Sequence, residues 1–140
     1  MFGKTGAVVE RVSLGGEGIL RTRGRASEAV PVVREALRSG VRYCDTAPAY
    51  DQSQDYYGAA FAAEPGARDR VFLASKTHER TKSLALALLA DSLRRLGTDR
   101  LDLWQMHDLR TRRELDEMFA PVEAALDATL DWARAEGRLG

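Results

Sequence analysis

The chain has 140 residues, of which 44% are hydrophobic, and this length is enough for one domain with a hydrophobic core. Lysine plus arginine balance aspartate plus glutamate at 21 each, so the net charge gives no reason to expect nucleic acid or an anionic membrane as a partner. Cys44 is the single cysteine, which excludes an intramolecular disulfide and a cysteine-based zinc cluster, and no metal site is predicted.

Residues 1–10 lack the long apolar stretch of a secretion signal. Apolar runs elsewhere in the chain stay well short of the roughly 20 residues that are needed to cross a bilayer. We therefore expect a soluble cytoplasmic protein, folded as a single domain over residues 1–140.

The first apolar region, residues 8–14, predicts a short strand that ends at Leu14. The segment Gly15-Gly16-Glu17-Gly18 follows, and its three glycines let the backbone turn tightly or approach a ligand closely. Their spacing differs from a dinucleotide-binding fingerprint, and the next helix starts only near Ser27. From these residues alone, a permissive loop is favoured over a ligand-binding loop.

Helical spacing together with start and stop signals predicts five helices. Ser27 is the expected N-cap of the first helix, and Pro65-Gly66 ends the second. Thr81 is the expected cap of the third helix, and Gly97 stops it. The predicted helical ranges are about 27–38, 53–63, 82–96, 112–119 and 121–136.

The spacing of apolar and charged residues also predicts which side of each helix is buried. In the third helix, the residues expected to face inward are Leu84, Ala85, Leu88, Leu89 and Leu93. Arg94, Arg95 and Arg100 are expected to lie on a solvated surface. The aromatic residues of the second helix are expected in the core.

Three later apolar runs each lead to an ionisable residue. They are residues 41–44 before Asp45, residues 71–75 before Lys76, and residues 101–106 before His107. About 31 residues separate Asp45 from Lys76 and again Lys76 from His107, as expected for a strand-helix-strand unit of roughly 30 residues or more. The same interval counted back from Asp45 reaches Leu14, so four strands are predicted in one series.

Strands and helices that alternate four times predict an α/β fold, with a parallel sheet covered by helices. Because right-handed crossovers make parallel strands point the same way, their carboxyl ends meet at one edge of the sheet. Asp45, Tyr50, Lys76 and His107 are expected at that edge, where ligands bind in barrels and in open sheets. A fifth strand is expected to begin near residues 138–140.

A phenol, an amine, a carboxylate and an imidazole at one edge can form a proton-transfer site. Tyr50 holds its proton at neutral pH and is a candidate general acid. The Lys76 ammonium would favour the phenolate that remains, and Asp45 would keep that ammonium charged and fixed. A neutral His107 would donate a hydrogen bond to the oxygen that Tyr50 protonates, which stabilises negative charge on a carbonyl oxygen. Reduction of that carbonyl requires a bound hydride donor of the nicotinamide type.

Each of these residues also has a purely structural explanation. Lys76 and Asp45 can form a structural ion pair, and His107 can be a partly buried imidazole with satisfied hydrogen bonds. Tyr50 can serve packing alone, since tyrosine is often half-buried. These explanations are reasonable for single residues, but four such residues at one edge favour a functional site.

Four motifs, taken in order, are similar to those of a known family. They are Leu14-Gly15-Gly16-Glu17-Gly18, Asp45-Thr46-Ala47-Pro48-Ala49-Tyr50 followed by Ser53 and Gly58, Ser75-Lys76-Thr77, and Asp102-Leu103-Trp104-Gln105-Met106-His107. In this order and at these intervals, they resemble the aldo-keto reductases over nearly the whole chain.

The resemblance implies about four of the eight parallel (β/α) units of a TIM barrel, which is the N-terminal half of the barrel. It also implies an oxidoreductase that reduces aldehydes or ketones with NADPH. By this resemblance, Tyr50 would be the general acid and His107 the residue that orients the carbonyl. Lys76 and Asp45 would be the pair that tunes the acidity of the Tyr50 phenol. Asp45 would also touch the nicotinamide ribose, and Gly18 would lie near the nicotinamide.

The chain departs from the family in two respects. Gln54 stands where the family usually has glutamate, at a position without a chemical role. Family members are also about twice as long as this chain, and their second half supplies most of the groups that hold the cofactor.

Two hypotheses therefore stay open from the sequence. One is a reductase with a small carbonyl compound as its substrate, and the other is a catalytically inactive half-barrel fragment or scaffold subunit. Because a half barrel leaves strand edges and an apolar inner face uncovered, we predict self-association into a homo-oligomer.

Overall fold

Three parallel strands form the central sheet, in the order β1 (Tyr43–Asp45), β2 (Phe72–Thr77) and β3 (Leu103–Met106). The structure is a computed structural model that describes residues 1–119 and 130–138. In the sheet register, Asp45 lies opposite Ala74, and Lys76 lies opposite Gln105. The parallel α/β architecture predicted from the sequence is therefore confirmed.

The strand predicted at the start of the chain is reduced to one residue. Leu14 forms a single parallel bridge to Cys44 and exchanges two backbone hydrogen bonds with β1, of 3.0 and 2.9 Å. Val8 and Val12 are exposed, since charged residues interrupt the apolar run between them and leave no continuous face to bury. Leu14 nevertheless lies beside β1, at the place where the regular interval predicts a strand.

Four helices are bounded at α1 (Ala26–Arg38), α2 (Ser53–Ala63), α3 (Lys82–Leu96) and α4 (Arg112–Phe119), and residues 130–135 are also helical. The predicted bounds of α2, α3 and α4 are confirmed, and Gly97 ends α3 in the left-handed conformation at φ 62°. Most of the helix predicted at 121–136, and residues 139–140 of the predicted fifth strand, lie outside the described residues. No helix within the described part of the chain is long and apolar enough to span a bilayer.

The prediction that Ser27 caps α1 was wrong. Helix α1 begins at Ala26, and Arg25 occupies the cap position. The Arg25 carbonyl accepts the first helical hydrogen bonds, from the N–H groups of Glu28 at 3.0 Å and Ala29 at 2.9 Å. The Arg25 guanidinium also contacts the Glu28 carboxylate across the first turn, and no side chain caps the start of the helix.

The helices pack against one face of the sheet. Cys44, Leu73 and Trp104 come from the three strands and join buried residues of α1, α2 and α3 in one hydrophobic core. The close approach of α2 to α3 depends on Gly58, because a Cβ at this position would lie 2.3 Å from the carbonyl oxygen of Arg95.

Two predictions about α3 were wrong. Leu84 is 51% exposed rather than buried, because the buried stripe of α3 passes through Ala85, Leu89 and Leu93 instead. Arg95 is not a solvated surface residue, since its side chain is only 13% exposed and pairs with Asp55 of α2 at 2.8 Å. An arginine can cross such an interface because its aliphatic stem packs while its guanidinium reaches a carboxylate.

The opposite face of the sheet is only partly covered. Near the amino ends of the strands, the rings of Tyr43 and Phe72 stack with centres 5.5 Å apart, and Phe2 packs at 5.2 and 5.4 Å from them. Near the carboxyl ends, the same face carries Asp45 and Lys76. Self-association through this face and the strand edges stays a prediction.

Candidate functional site

Asp45 and Lys76 meet at the carboxyl ends of β1 and β2. The Lys76 ammonium contacts Asp45 Oδ1 and donates a second hydrogen bond to the Thr46 carbonyl at 3.1 Å. The two side chains are 12% and 24% exposed, respectively. A partly buried charge requires such partners, so this ion pair holds the ammonium in one place at the mouth of the sheet.

Tyr50 lies directly beside this pair. Lys76 Nζ is 4.6 Å from the centre of the Tyr50 ring, and the His107 ring meets the same ring edge-on with centres 5.4 Å apart. Tyr50 is only 9% exposed. The structure therefore brings together all four residues that the sequence places at one edge: Asp45, Tyr50, Lys76 and His107.

His107 follows β3 and is held by its backbone. Its N–H donates to the Thr77 carbonyl at 2.7 Å, which extends the pairing of β2 with β3, and its carbonyl accepts from Arg80 Nη2 at 2.7 Å. Burial lowers the pKa of the imidazole, and the positive charge of Lys76 lowers it further, although the carboxylates of Asp108 and Asp45 oppose this shift. At neutral pH the ring is therefore uncharged.

The loop that carries Tyr50 is fixed by short-range hydrogen bonds. Thr46 Oγ1 donates to Ser53 Oγ at 2.9 Å, and both residues are fully buried. The Tyr50 N–H donates to the Ala47 carbonyl, and the Tyr50 carbonyl accepts from the Ser53 N–H. Tyr50 is consequently set by a closed turn rather than by a free surface loop.

The glycine-rich loop packs against this turn. A Cβ at Gly16 would lie 2.6 Å from Ser53 Oγ and 2.9 Å from the Asp45 carbonyl oxygen, so only glycine fits there. Gly18 opens a single 3-10 turn at φ 63°, and nothing lies within 4 Å of the place where its Cβ would be. Gly16 thus has a packing role next to the site, and Gly18 leaves its backbone open to an approaching molecule.

Sequence reasoning missed Arg21 near the site, and it named Gln54 only as a departure from the family, without its structural role. The guanidinium carbon of Arg21 lies 5.5 Å from the centre of the Tyr50 ring. Gln54 is fully buried and donates from Nε2 to Ser75 Oγ at 3.0 Å, which links α2 to β2 beneath the site. Neither residue lies at the interval of about 31 residues by which the sequence identifies Asp45, Lys76 and His107 as site residues. Among the described residues, no group of three or more histidine, cysteine or carboxylate side chains is arranged to hold a metal ion.

Known proteins are similar to this chain in sequence. The profile of the Aldo/keto reductase family matches residues 11–138. Aldo-keto reductase YhdN of Bacillus subtilis (strain 168) is 34% identical over 118 residues, which cover 74% of this chain and 35% of that protein. Glycerol 2-dehydrogenase (NADP(+)) of Saccharomyces cerevisiae is 31% identical over 103 residues, which cover 74% of this chain and 31% of that protein.

The fold agrees with a solved structure of the same kind. The crystal structure of an aldo/keto reductase from Brucella melitensis matches with a TM-score of 0.68 and 28% sequence identity, over 91% of this chain and 45% of that chain. This chain therefore spans less than half the length of these three relatives, and its parallel sheet and helices correspond to part of a TIM barrel. The family profile over most of its length, together with this shared fold, shows that the chain belongs to the aldo-keto reductase family.

Proposed function

We propose that residues 1–140 are the N-terminal half of a barrel enzyme that reduces aldehydes or ketones to alcohols with NADPH. One observation carries this proposal: an ammonium and an imidazole both lie against the Tyr50 ring. Lys76 Nζ is 4.6 Å from the centre of that ring, and the centre of the His107 ring is 5.4 Å from it. Family membership supports the proposal, because the relatives include proteins named as reductases.

Tyr50 is the proposed proton donor. A carbonyl oxygen that gains negative charge during reduction takes the phenolic proton and leaves a phenolate. The neighbouring Lys76 ammonium stabilises that phenolate, and its contacts with Asp45 and the Thr46 carbonyl prevent it from moving away. Within the described part of the chain, the Tyr50 hydroxyl has no hydrogen-bond partner, so it is available to a bound carbonyl.

His107 is the proposed residue that orients the carbonyl. Its lowered pKa keeps the ring neutral, so one ring nitrogen carries a proton that can be donated and the other does not. A neutral donor beside the phenol directs the carbonyl oxygen toward Tyr50 without competing for the proton. The backbone contacts of His107 with Thr77 and Arg80 hold the ring at this position.

The residues near the site fit a nicotinamide cofactor. Lys76 contacts Oδ1 of Asp45, which leaves Oδ2 to accept a hydrogen bond from a ribose hydroxyl, and no atom lies within 4 Å of the place where a Cβ of Gly18 would be. Bound NADPH supplies a hydride, with its two electrons, to the carbonyl carbon while Tyr50 supplies the proton to the oxygen. We propose NADPH because the similar yeast enzyme is named as NADP(+)-dependent.

The test is a cofactor titration followed by an aldehyde-reduction assay on the chain and on Tyr50→Phe. NADPH binding is followed by cofactor fluorescence, and reduction is followed by NADPH consumption. Removal of the hydroxyl is expected to lower the rate by about 10²- to 10⁴-fold, the usual contribution of a general acid. NADPH binding is expected to persist in the variant, because Tyr50 is not among the residues proposed to hold the cofactor.

Tyr43→Phe is the matched control. It makes the same substitution on β1, but at the amino end of the sheet, where Tyr43 stacks on Phe72. This variant is expected to keep the wild-type rate. Equal rates for Tyr50→Phe and wild type would contradict the role of Tyr50, and no NADPH binding at millimolar concentration would favour the alternative, a catalytically inactive half-barrel fragment or scaffold subunit.

A further inference from the structure

Arg21 is the one cation at the site that the proposed reaction does not use. Its guanidinium carbon lies 5.5 Å from the centre of the Tyr50 ring, and its backbone N–H donates to the Gly18 carbonyl at 3.1 Å at the end of the 3-10 turn. The glycine-rich loop therefore places the positive charge of Arg21 beside Tyr50, the proposed proton donor. A cation over an aromatic ring is a favourable contact in itself, so the surroundings of Arg21 decide whether it does more.

The exposure of Arg21 distinguishes it from the other groups around Tyr50. The side chain of Lys76 is 12% exposed, whereas that of Arg21 is 50% exposed. His107 is half-buried. Among the described groups that contact the Tyr50 ring, Arg21 is consequently the most exposed.

Arg21 also has hydrogen-bond donors that are not engaged. Only Nη1 is engaged, with the Glu17 carboxylate oxygens at 3.1 and 3.2 Å, and Nε and Nη2 have no partner within the described residues. Glu17 is itself 57% exposed, and an exposed pair of this kind is weak. A guanidinium binds a carboxylate best through two parallel hydrogen bonds, which the free Nε and Nη2 edge provides.

The other cation at the site cannot take this role. The Lys76 ammonium is already held by Asp45 and the Thr46 carbonyl, and His107 is uncharged at neutral pH. Arg21 is therefore the group beside Tyr50, within the described structure, that combines a positive charge with a free edge able to donate two parallel hydrogen bonds.

We propose that Arg21 selects carbonyl substrates that carry a carboxylate, such as small 2-oxo acids and aldehyde acids. The inference rests on the proposed function in so far as it regards the bound molecule as a substrate. Arg21 holds the carboxylate through its Nε and Nη2 edge while the carbonyl oxygen lies against the Tyr50 hydroxyl. Glu17 competes for the guanidinium and weakens the binding of every such anion.

The test measures binding without cofactor. The whole chain is labelled with 3-fluorotyrosine, which gives one 19F NMR signal for each of the four tyrosines, and Tyr50→Phe identifies the Tyr50 signal. The probes are pyruvate and pyruvamide, which are nearly equal in shape and differ in charge. Pyruvate is expected to shift the Tyr50 signal saturably, at a concentration about tenfold or more below that required for pyruvamide.

Three variants locate the effect. In Arg21→Gln, pyruvate is expected to bind no more tightly than pyruvamide. In Glu17→Gln, pyruvate binding is expected to become tighter, because the competing carboxylate is gone. The matched control is Arg23→Gln, which removes a neighbouring exposed arginine that pairs with Asp51 and is expected to leave pyruvate binding unchanged.

The outcomes separate this inference from the proposed function. Arg21-dependent binding of pyruvate in a chain that does not consume NADPH would support the inference and contradict the reductase. NADPH-dependent reduction with equal kcat/KM for the two probes would support the reductase and overturn the inference. Unchanged pyruvate binding in Arg21→Gln, or no shift of the Tyr50 signal with either probe, would also overturn it.

Discussion

Two ion pairs at opposite ends of the sheet are equally buried but differ in the groups that surround them. At the carboxyl end, Lys76 and Asp45 are 12% and 24% exposed, and at the amino end, Arg68 and Asp102 are 12% and 23% exposed. Each pair joins neighbouring elements of the chain. Burial and pairing alone therefore do not distinguish a functional pair from a structural one.

At the amino end, all three nitrogens of the Arg68 guanidinium are engaged. Nε of Arg68 donates to Thr98 Oγ1, Nη1 donates to the Val71 carbonyl, and Nη2 reaches both the Arg100 carbonyl and Asp102 at 2.9 Å. Asp102 also accepts the Leu73 N–H at 2.8 Å. Burial lowers the pKa of Arg68, which shows how much the surrounding protein must compensate to keep this charge in place.

The pair at the carboxyl end is incompletely used. Among the described residues, Lys76 has two hydrogen-bond acceptors for three protons, and Asp45 Oδ2 has no partner. Lys76 also faces a phenol that can change its charge. Because Asp102 Oδ1 is likewise without a partner among the described residues, it is the contact with a phenol, rather than burial or an unused oxygen, that distinguishes the pair proposed to act on a ligand.

The largest effect is expected for Lys76→Met, and it is an effect on rate. Loss of the ammonium removes the group that stabilises the Tyr50 phenolate, so NADPH-dependent reduction is expected to fall by about 10²- to 10⁴-fold. The free energy of unfolding, measured by urea denaturation, is expected to fall by less than it does in Arg68→Met, because only Asp45 and the Thr46 carbonyl lose a donor here, whereas four acceptors lose theirs in Arg68→Met. A loss of stability above that of Arg68→Met would instead make Lys76 a structural residue.

Arg68→Met is expected to show the converse pattern. It leaves the Asp102 carboxylate and three backbone or hydroxyl acceptors without their donor, and breaking a buried pair in this way costs about 3 kcal/mol. The urea midpoint should fall accordingly, while reduction by the folded fraction is retained because Arg68 lies at the far end of the sheet from Tyr50. Equal stability of the two methionine variants would contradict the contrast between the two ends.

The sequence predicts the parts of this molecule that depend on short-range rules. Helices α2, α3 and α4 have their predicted bounds because Gly97 and similar signals act within one turn. Asp45, Lys76 and His107 are predicted at one edge because a repeated unit of constant length repeats the same position. These features require no knowledge of which residues touch across the fold.

Contacts between distant segments are what the sequence does not show. The contact between Arg68 and Asp102 and the contact between Arg21 and Tyr50 occur at no periodic interval in the sequence. Each contact depends on how two loops end after the sheet has formed. Ser27 is misassigned as a cap because the helix begins at Ala26, one residue before the hydroxyl that a local preference would place at its start. Long side chains that form such pairs are poorly described by propensity or hydrophobic spacing.

The smallest expected effect concerns pH and His107. Because its pKa in the folded chain is lowered, the unfolded chain binds a proton first as the pH falls below the ordinary value of 6.5. The free energy of unfolding should therefore decrease from pH 6.5 down to the lowered pKa, and this decrease should be missing in His107→Gln. Urea denaturation of both proteins between pH 8 and pH 5 measures the difference, which is expected to be constant above about pH 7.5, where the imidazole is neutral in both states. Parallel stability curves over the whole range would mean that burial beside Lys76 and Tyr50 does not affect His107, and would argue against the close cluster at the carboxyl end of the sheet.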